Sequence, residues 1–352
     1  MITKIAKSGQ AVPRLEDERL LRGQGRFVDN LNFEGQVYLH VVRSYHGHAK
    51  ILNILKESVC QQPGVLAIFT GEDLIRDGVL PIPLTLSYKR PGGLPAISEP
   101  YHALAHGIAR FMGQPVAIVI ADSAVAAQEA GQCLEIEYEE LQAVTDLQKA
   151  ISADAPRLCS ELPDNIAAAS TEGDAVKVEK AFAKASHVTR MNLVNNRVVG
   201  SPLEPRALLC EVEPKSGNLV LYAMHQSISR LKSVLCSVFQ FEAEKLRIIV
   251  RDIGGGFGTK VAVHPEDVLV VYAARKLKRT VKWTATRSEE FQASVHGRDQ
   301  RNFAELACDS TGKILALRLS TLANTGAYLN NPALLIPLEI MPKVVSSVYH
   351  IP

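Results

Sequence analysis

The 352-residue sequence is short of the features that mark several simple functional classes. It lacks a charge imbalance: 39 Lys and Arg against 37 Asp and Glu leave +2, so no global field points to nucleic acid or an anionic membrane as a partner. It also lacks any apolar run near the ~18 residues that a membrane helix needs. The most apolar stretch near the end, PALLIPLEIM (332–341), is interrupted by Pro332 and Pro337 and followed by Pro342. The opening MITKIAKSGQAV has no apolar leader core, and a cytoplasmic location is expected. The six cysteines (60, 133, 159, 210, 236 and 308) contain no C-x-x-C pair, so neither a zinc site nor an iron–sulfur cluster has a local signature. Buried, reduced thiols are expected instead. His46 and His48 flank Gly47 without further ligand types nearby, which predicts a strand-end loop before a metal site. No internal repeat of fixed period is present.

What is there is ordinary for a folded protein: 47% hydrophobic and 22% charged residues, over a length that predicts two or three domains. GQVYLHVVRS (35–44), GVLAIFT (64–70) and CLEIEYEEL (133–141) have strand character. QPVAIVIA (114–121) is a continuous apolar run, as in a strand buried on both faces. Helices are predicted from Gly71, with acidic residues in the first turn, and after the capping type Ser123. Residues 81–100 read as an extended loop. A polar, proline-containing stretch then reads as a linker. Beyond it, 187–201, 219–225, 245–253, TVKWTATRS and KILALRLSTLANTGAY are strand-like. SISRLKSVLCSVFQ (227–240) has helical apolar spacing behind a serine cap. HPEDVLVVYAARKLKR (264–279) is a helix with Pro265 near its first position, acids in its first turn and bases in its last.

Between the strand at 245–253 and that helix lies RDIGGGFGTK (251–260). A phosphate, a closely packed element and a bulky cofactor are the candidates for what this backbone approaches. Spacing removes the phosphate motifs: a G-x-G-x-x-G register from Gly254 meets Thr259, one from Gly256 meets Val261, and a Walker A loop fails at Thr259. Close packing would explain two or three glycines. Four within five residues cost roughly 0.5–1 kcal/mol each against alanine, which favours ligand approach without excluding packing.

VRDIGGGFGTK resembles the glycine loop of the molybdenum hydroxylase large subunits, the xanthine dehydrogenase, aldehyde oxidase and aerobic carbon monoxide dehydrogenase family. RLEDERLLRGQGRFVDNL (14–31), VVRSYHGHAKI (41–51), PGVLAIFTGEDL (63–74), FMGQPVAIVIADS (111–123) and GSPLEPRA (200–207) are similar to family stretches in the same order. HPEDVLVVYAARKL, VKWTATRSEEF, HGRD and NTGAY continue the match over nearly the whole chain.

The resemblance implies an α+β protein. It would have an N-terminal extension (1–19), an α/β hammerhead domain (20–142), a linker (143–171) and the first part of a mixed α/β molybdopterin-binding domain (172–352). It implies that Gln226 matches a glutamine whose amide hydrogen-bonds an oxygen ligand of molybdenum. Gly254, Gly255, Gly256, Phe257 and Gly258 match the cofactor loop, with Phe257 and Gly258 supplying backbone N–H donors. The implied cofactor is Mo-molybdopterin, in its cytosine dinucleotide form, with 2Fe-2S and FAD on partner subunits. The implied partners are a second molybdopterin-binding chain, an FAD-binding medium subunit and a 2Fe-2S small subunit. The implied reaction hydroxylates an aldehyde, N-heterocycle or similar small molecule with oxygen from water.

Two departures qualify this. Val261 stands where xanthine dehydrogenases carry an acid, which tilts the resemblance toward the carbon monoxide dehydrogenase branch. No Q-G-x-G-Q type segment occurs, and family large subunits run well beyond this length. The chain is expected to be the N-terminal half of a split large subunit, with no catalytic base and no metal ligand of its own. The alternative is a truncated, inactive fragment that binds only partner subunits. In either case apolar surface should stand exposed where the remaining half docks.

Overall fold

Seven residues, Pro115–Ala121, explain the centre of the molecule, because all seven are buried. A computed structural model describes residues 9, 11–84, 86–159, 161–162, 164–329 and 334–351. Residues 1–8 and 10 of the expected extension and residues 332–333 of the apolar end segment lie outside the described residues. In chain order the first strands are β1 (Val37–Arg43), β2 (Ala49–Leu55), β3 (Val65–Thr70), β4 (Ile108–Ala109), β5 (Pro115–Ala121) and β6 (Glu135–Glu140). β7 (His187–Asn195), β8 (Val198–Val199), β9 (Ala207–Val212), β10 (Leu219–Ala223) and β11 (Leu246–Ile249) follow. The last are β12 (Val281–Thr284), β13 (His296–Gly297), β14 (Gln300–Cys308) and β15 (Ile314–Ala323). The α-helices among the described residues are α1 (Asp17–Leu21), α2 (Gly71–Arg76), α3 (Ala124–Gln132), α4 (Leu147–Ala150), α5 (Ala175–Lys184), α6 (Ile228–Phe239), α7 (Pro265–Leu277), α8 (Arg287–Ala293) and α9 (Met341–Val344).

Seven strands form one sheet in the order β11-β10-β9-β12-β1-β5-β3. Strands from the first 121 residues and from beyond residue 207 therefore share a ladder, joined where β1 runs parallel to β12. One face carries α6 and α7: Leu231, Leu235 and Val268–Ala274 bury against Leu39, Ile118, Leu208 and Leu221. On the other face Ala117 and Val119 of β5 meet Ala130, Val59 and Ile68. Helices and turns thus cover β5 from both sides, as its unbroken apolar run requires.

The capping signals resolve helix by helix. Ser123 accepts a hydrogen bond from Ala126 N–H and starts α3. Pro265 occupies the first turn of α7 behind His264, and Asp267 accepts from His264 N–H. Ser227 takes the N-cap position of α6, but its hydroxyl makes no cap bond; its N–H donates to His225 Nδ1 instead. The strand pattern at 187–201 splits into β7 and β8, and that at 245–253 ends at Ile249.

β14 pairs β7 on one side and β15 on the other, making a separate antiparallel sheet. α5 lies against it, where Arg318 stacks 4.3 Å over Phe182 and bonds Glu179 at 2.6 Å. The expectation of buried thiols holds for Cys159 and Cys210 and is corrected for the other four, with Cys236 and Cys308 only half-buried. Cys60 and Cys133 are exposed, because Val59 and Leu134 take the inward positions beside them. His46 packs against Tyr45 and Tyr138, and His48 Nδ1 lies 2.9 Å from Gln142 O. Among the described residues no helix is long and apolar enough to cross a membrane, and no group of His, Cys, Asp and Glu could hold a metal ion.

Candidate functional site

β11 delivers the chain to the glycine loop through Asp252, which is tied down from far upstream. Arg19 donates both terminal nitrogens to its carboxylate at 2.5 and 2.7 Å, and Arg26 N–H adds a third bond at 2.6 Å. The Arg19 bonds, followed by Arg26 N–H, hold the Asp252 carboxyl down at about 2. The N-terminal RLEDERLLRGQGRF stretch therefore acts as a strap on the loop's first residues.

The loop itself arches. Gly255 (φ +97°) and Gly258 (φ +87°) occupy the left-handed region that glycine adopts without penalty. Phe257 sits there too, at φ +49°, a conformation that costs a non-glycine residue on the order of 1–3 kcal/mol. Its side chain is 75% exposed, presented outward by the backbone. A Cβ at Gly254 would collide with Glu204, and one at Gly256 would lie 2.6 Å from Gln226 Cδ. Close packing therefore accounts for two of the glycines, with Gly254 closing on Glu204 and Gly256 closing on the candidate amide of Gln226.

Gln226, three residues past the end of β10 and two before α6, is exposed. Its backbone N–H donates to Lys260 O at 2.8 Å, and its Oε1 accepts from Gly258 N–H at 3.1 Å. That bond orients the amide so that Nε2 is the group left free, and it occupies the Gly258 donor. Phe257 N–H has no partner among the described residues. The structure thus brings Gln226, Gly256, Phe257 and Gly258 together, leaving one backbone N–H and one amide NH₂ free. Ile228, Leu203 and Phe257 are exposed apolar side chains around them, Leu203 at 90%. A cleft of about 1510 Å³ touches this segment at its exit, Ala262–His264, and is lined mainly by the linker, residues 110–112 and 291–299, β15 and residues from 334 to 351.

Beneath the arch lies a buried ionic layer for which only the LEPRA spelling gave a hint. Lys260 is fully buried and donates to Glu204 O (2.9 Å) and Glu204 Oε2 (3.1 Å). Arg206 donates Nε to Glu290 at 2.7 Å and Nη1 to Glu266 at 2.8 Å. Arg43 bridges Glu266 at 2.7 Å and Glu289 at 3.0 Å. Burial opposes the charge on Glu266, but Arg206 and Arg43 outweigh it and hold the carboxyl far below its usual range.

His264 closes the layer, its Nε2 2.8 Å from Thr259 O. Since that carbonyl can only accept, Nε2 carries a proton. Burial first, then the charge of Arg206, pushes His264 down to about 3, so the ring is neutral. Its folded pKa lies below the unfolded value near 6.5. Stability from this residue is therefore complete above pH ~6.5 and falls as pH drops toward 3, where the unfolded chain takes the proton first. We expect His264→Gln to flatten the decline in thermal stability between pH ~6.5 and 5, checked by calorimetry across that range. An unchanged slope would reassign the decline to other groups.

Comparisons with known proteins agree with this layout. Residues 158–352 match the molybdopterin cofactor-binding domain, and residues 22–142 match the aldehyde oxidase and xanthine dehydrogenase a/b hammerhead domain. The nicotine 6-hydroxylase large subunit of Paenarthrobacter nicotinovorans is 33% identical over 322 residues, 91% of this chain and 38% of that protein. The carbon monoxide dehydrogenase large chain of Hydrogenophaga pseudoflava is 32% identical over 325 residues, 89% of this chain and 39% of that protein. The structure of quinoline 2-oxidoreductase from Pseudomonas putida 86 superposes with a TM-score of 0.87 at 32% identity, over 98% of this chain and 43% of that one. The chain thus spans about two fifths of the length of these relatives.

Proposed function

Because this chain belongs to the molybdenum hydroxylase large-subunit family, with a hammerhead and a molybdopterin cofactor-binding domain, we propose that it forms the N-terminal part of a carbon monoxide dehydrogenase-like large subunit. The single observation that supports the assignment most is the meeting of Gln226 with the Gly256–Gly258 arch, where Nε2 and Phe257 N–H stand free. These residues fit the cofactor by their chemistry: Gln226 Nε2 and Phe257 N–H are donors without a partner among the described residues, and glycine at 256 lets the backbone close on the amide that orients them. When bound, molybdopterin would supply the two-electron redox chemistry by which such enzymes insert oxygen from water into a C–H bond.

The chain's own contribution is binding and orientation. Gln226 Nε2 and Phe257 N–H would donate to electronegative ligand atoms of the cofactor, as donors fixed in place before charge develops. Gly254, Gly255 and Gly258 would shape the loop that presents them. No side chain here is proposed as the catalytic base, and none as a metal ligand. We assign those tasks to the rest of the large subunit, whether it continues this polypeptide or is a second molybdopterin-binding chain. The cytosine dinucleotide form of the cofactor, and 2Fe-2S and FAD on small and medium partner subunits, belong to the same proposal. So do domain limits near 142 and 172 and a small aldehyde or N-heterocycle as substrate.

Exposed apolar groups support the need for further protein. Met191 and Leu193 stand open on the edge strand β7, whose outer backbone has no strand beside it among the described residues. Such a face on a soluble chain marks an interaction surface.

The test compares activity with stability. In the assembled enzyme, Gln226→Ala and Phe257→Ala are expected to lower turnover by about 10²-fold or more, the scale of losing one preorganised donor or its placement. Unfolding free energy should change by no more than about 1 kcal/mol, since both side chains are exposed. Equal losses of activity and stability would instead identify the loop as packing. An inactive fragment would show no molybdenum after co-expression with every candidate partner.

A further inference from the structure

Among the described residues, every hydrogen bond that Glu204 makes ends on the glycine loop. Its N–H donates to Gly254 O at 3.2 Å, and its Oε2 accepts from Gly254 N–H at 2.6 Å. Its carbonyl and the same Oε2 accept from Lys260 Nζ at 2.9 and 3.1 Å. Gly254 and Lys260 bracket the arch, so one side chain holds both of its ends. The remaining carboxylate oxygen, Oε1, is buried without a partner among the described residues.

Neither partner is cheap to keep there. The Lys260 side chain is wholly buried, and that of Glu204 nearly so. A buried ion pair is seldom more stable than apolar residues of the same shape, so its presence points to a geometry that apolar packing would not specify. The arch needs such specification. Gly255 and Gly258 have no Cβ to restrict them, and an untied arch would sample many conformations. Gln226 holds the crown through one bond to an exposed N–H, which water can replace. Among the described residues, only the Glu204–Lys260 pair is both buried and attached at each foot.

We propose that Glu204 and Lys260 are positioning residues of the molybdopterin loop: their buried pair clasps its two feet and fixes where Phe257 N–H and Gln226 Nε2 point. The clasp acts through the backbone and touches no cofactor itself. This role rests on the cofactor reading above.

The test has two readouts on the full chain, purified with whatever copurifies from its host. Hydrogen exchange followed by mass spectrometry reports the amides of 250–261 without requiring any cofactor. The molybdenum-to-protein ratio reports loading. For Lys260→Met, exchange of the Gly254–Lys260 amides should accelerate about tenfold or more while the sheet strands keep their protection. Molybdenum content should fall several-fold. Glu204→Gln keeps an acceptor for Gly254 N–H and should show a smaller change than Glu204→Ala, in both readouts. Should Lys260→Met fail to fold, the Glu204→Gln and Glu204→Ala pair is read in the same way.

Faster exchange spread evenly over the chain would make the pair a general stabiliser and overturn the proposal. Unchanged exchange at 254–260 would overturn it as well. A parent protein that loads molybdenum, with variants that load equally well, removes the positioning role alone. A parent that holds no molybdenum under any assembly removes the cofactor reading and the positioning role with it.

Discussion

Replacing Arg206 by methionine is expected to destabilise the chain by about 3–5 kcal/mol, the scale of breaking a buried ion pair from one side. Arg206 is only 4% exposed and ties Glu290 of α8 to Glu266 in the first turn of α7. Glu266 would keep Arg43, but Glu290, equally buried, would be left with no cation within bonding distance among the described residues. The layer Glu289–Arg43–Glu266–Arg206–Glu290 has three carboxylates to two guanidiniums, so losing one cation leaves a charge that the interior cannot solvate. Urea unfolding followed by circular dichroism gives the measurement. The fluorescence of Trp283, whose ring lies 5.5 Å from the Arg206 guanidinium, reports the site directly. Removing both partners, as in Arg206→Met with Glu290→Leu, should recover part of the loss, because no unpaired charge remains. A single-variant loss below about 1 kcal/mol would show that water reaches this layer.

Gly256→Ala is expected to do the reverse, sparing the fold and removing function. The φ angle of Gly256 is not in the left-handed region, so alanine meets no backbone strain there. Its Cβ would come within 2.6–3.0 Å of Cδ, Oε1 and Cγ of Gln226, and the exposed glutamine would swing aside. The Gly258–Gln226 bond would be lost, at a cost of about 1 kcal/mol. If the amide and Phe257 N–H work as a pair of oriented donors, turnover of the assembled enzyme should drop about 10²–10³-fold. Unfolding and steady-state kinetics on the same preparation decide the matter. Full activity in Gly256→Ala would mean that Gln226 need not stand where it does.

Much of the fold was legible because its signals are local. Seven consecutive apolar residues need cover on both faces, and β5 receives it. Pro265 with Glu266 and Asp267 starts α7 where those residues predict. Failures came where the pattern depends on distant partners. QRNFAELAC alternates poorly, and β14 becomes a strand because β7 and β15 flank it in register. α5 has no buried residue and is held against β15 through Arg318. Ser227 reads as a cap, but His225 stands close enough to take its N–H.

The sequence by itself determined that RDIGGGFGTK is no phosphate loop, since glycine spacing is a covalent fact that folding cannot alter. Through resemblance it also pointed to the family and to Gln226, Phe257 and their glycines. Only the tertiary structure decided what each glycine is for. Gly254 closes on Glu204, Gly256 closes on Gln226, and Gly255 and Gly258 turn the chain. It alone assembled residues 43, 204, 206, 260, 266 and 290 into the charged floor beneath the arch. Ionic pairing in a water-poor interior depends on distances of a few ångströms, and the linear order of the chain carries no information at that scale.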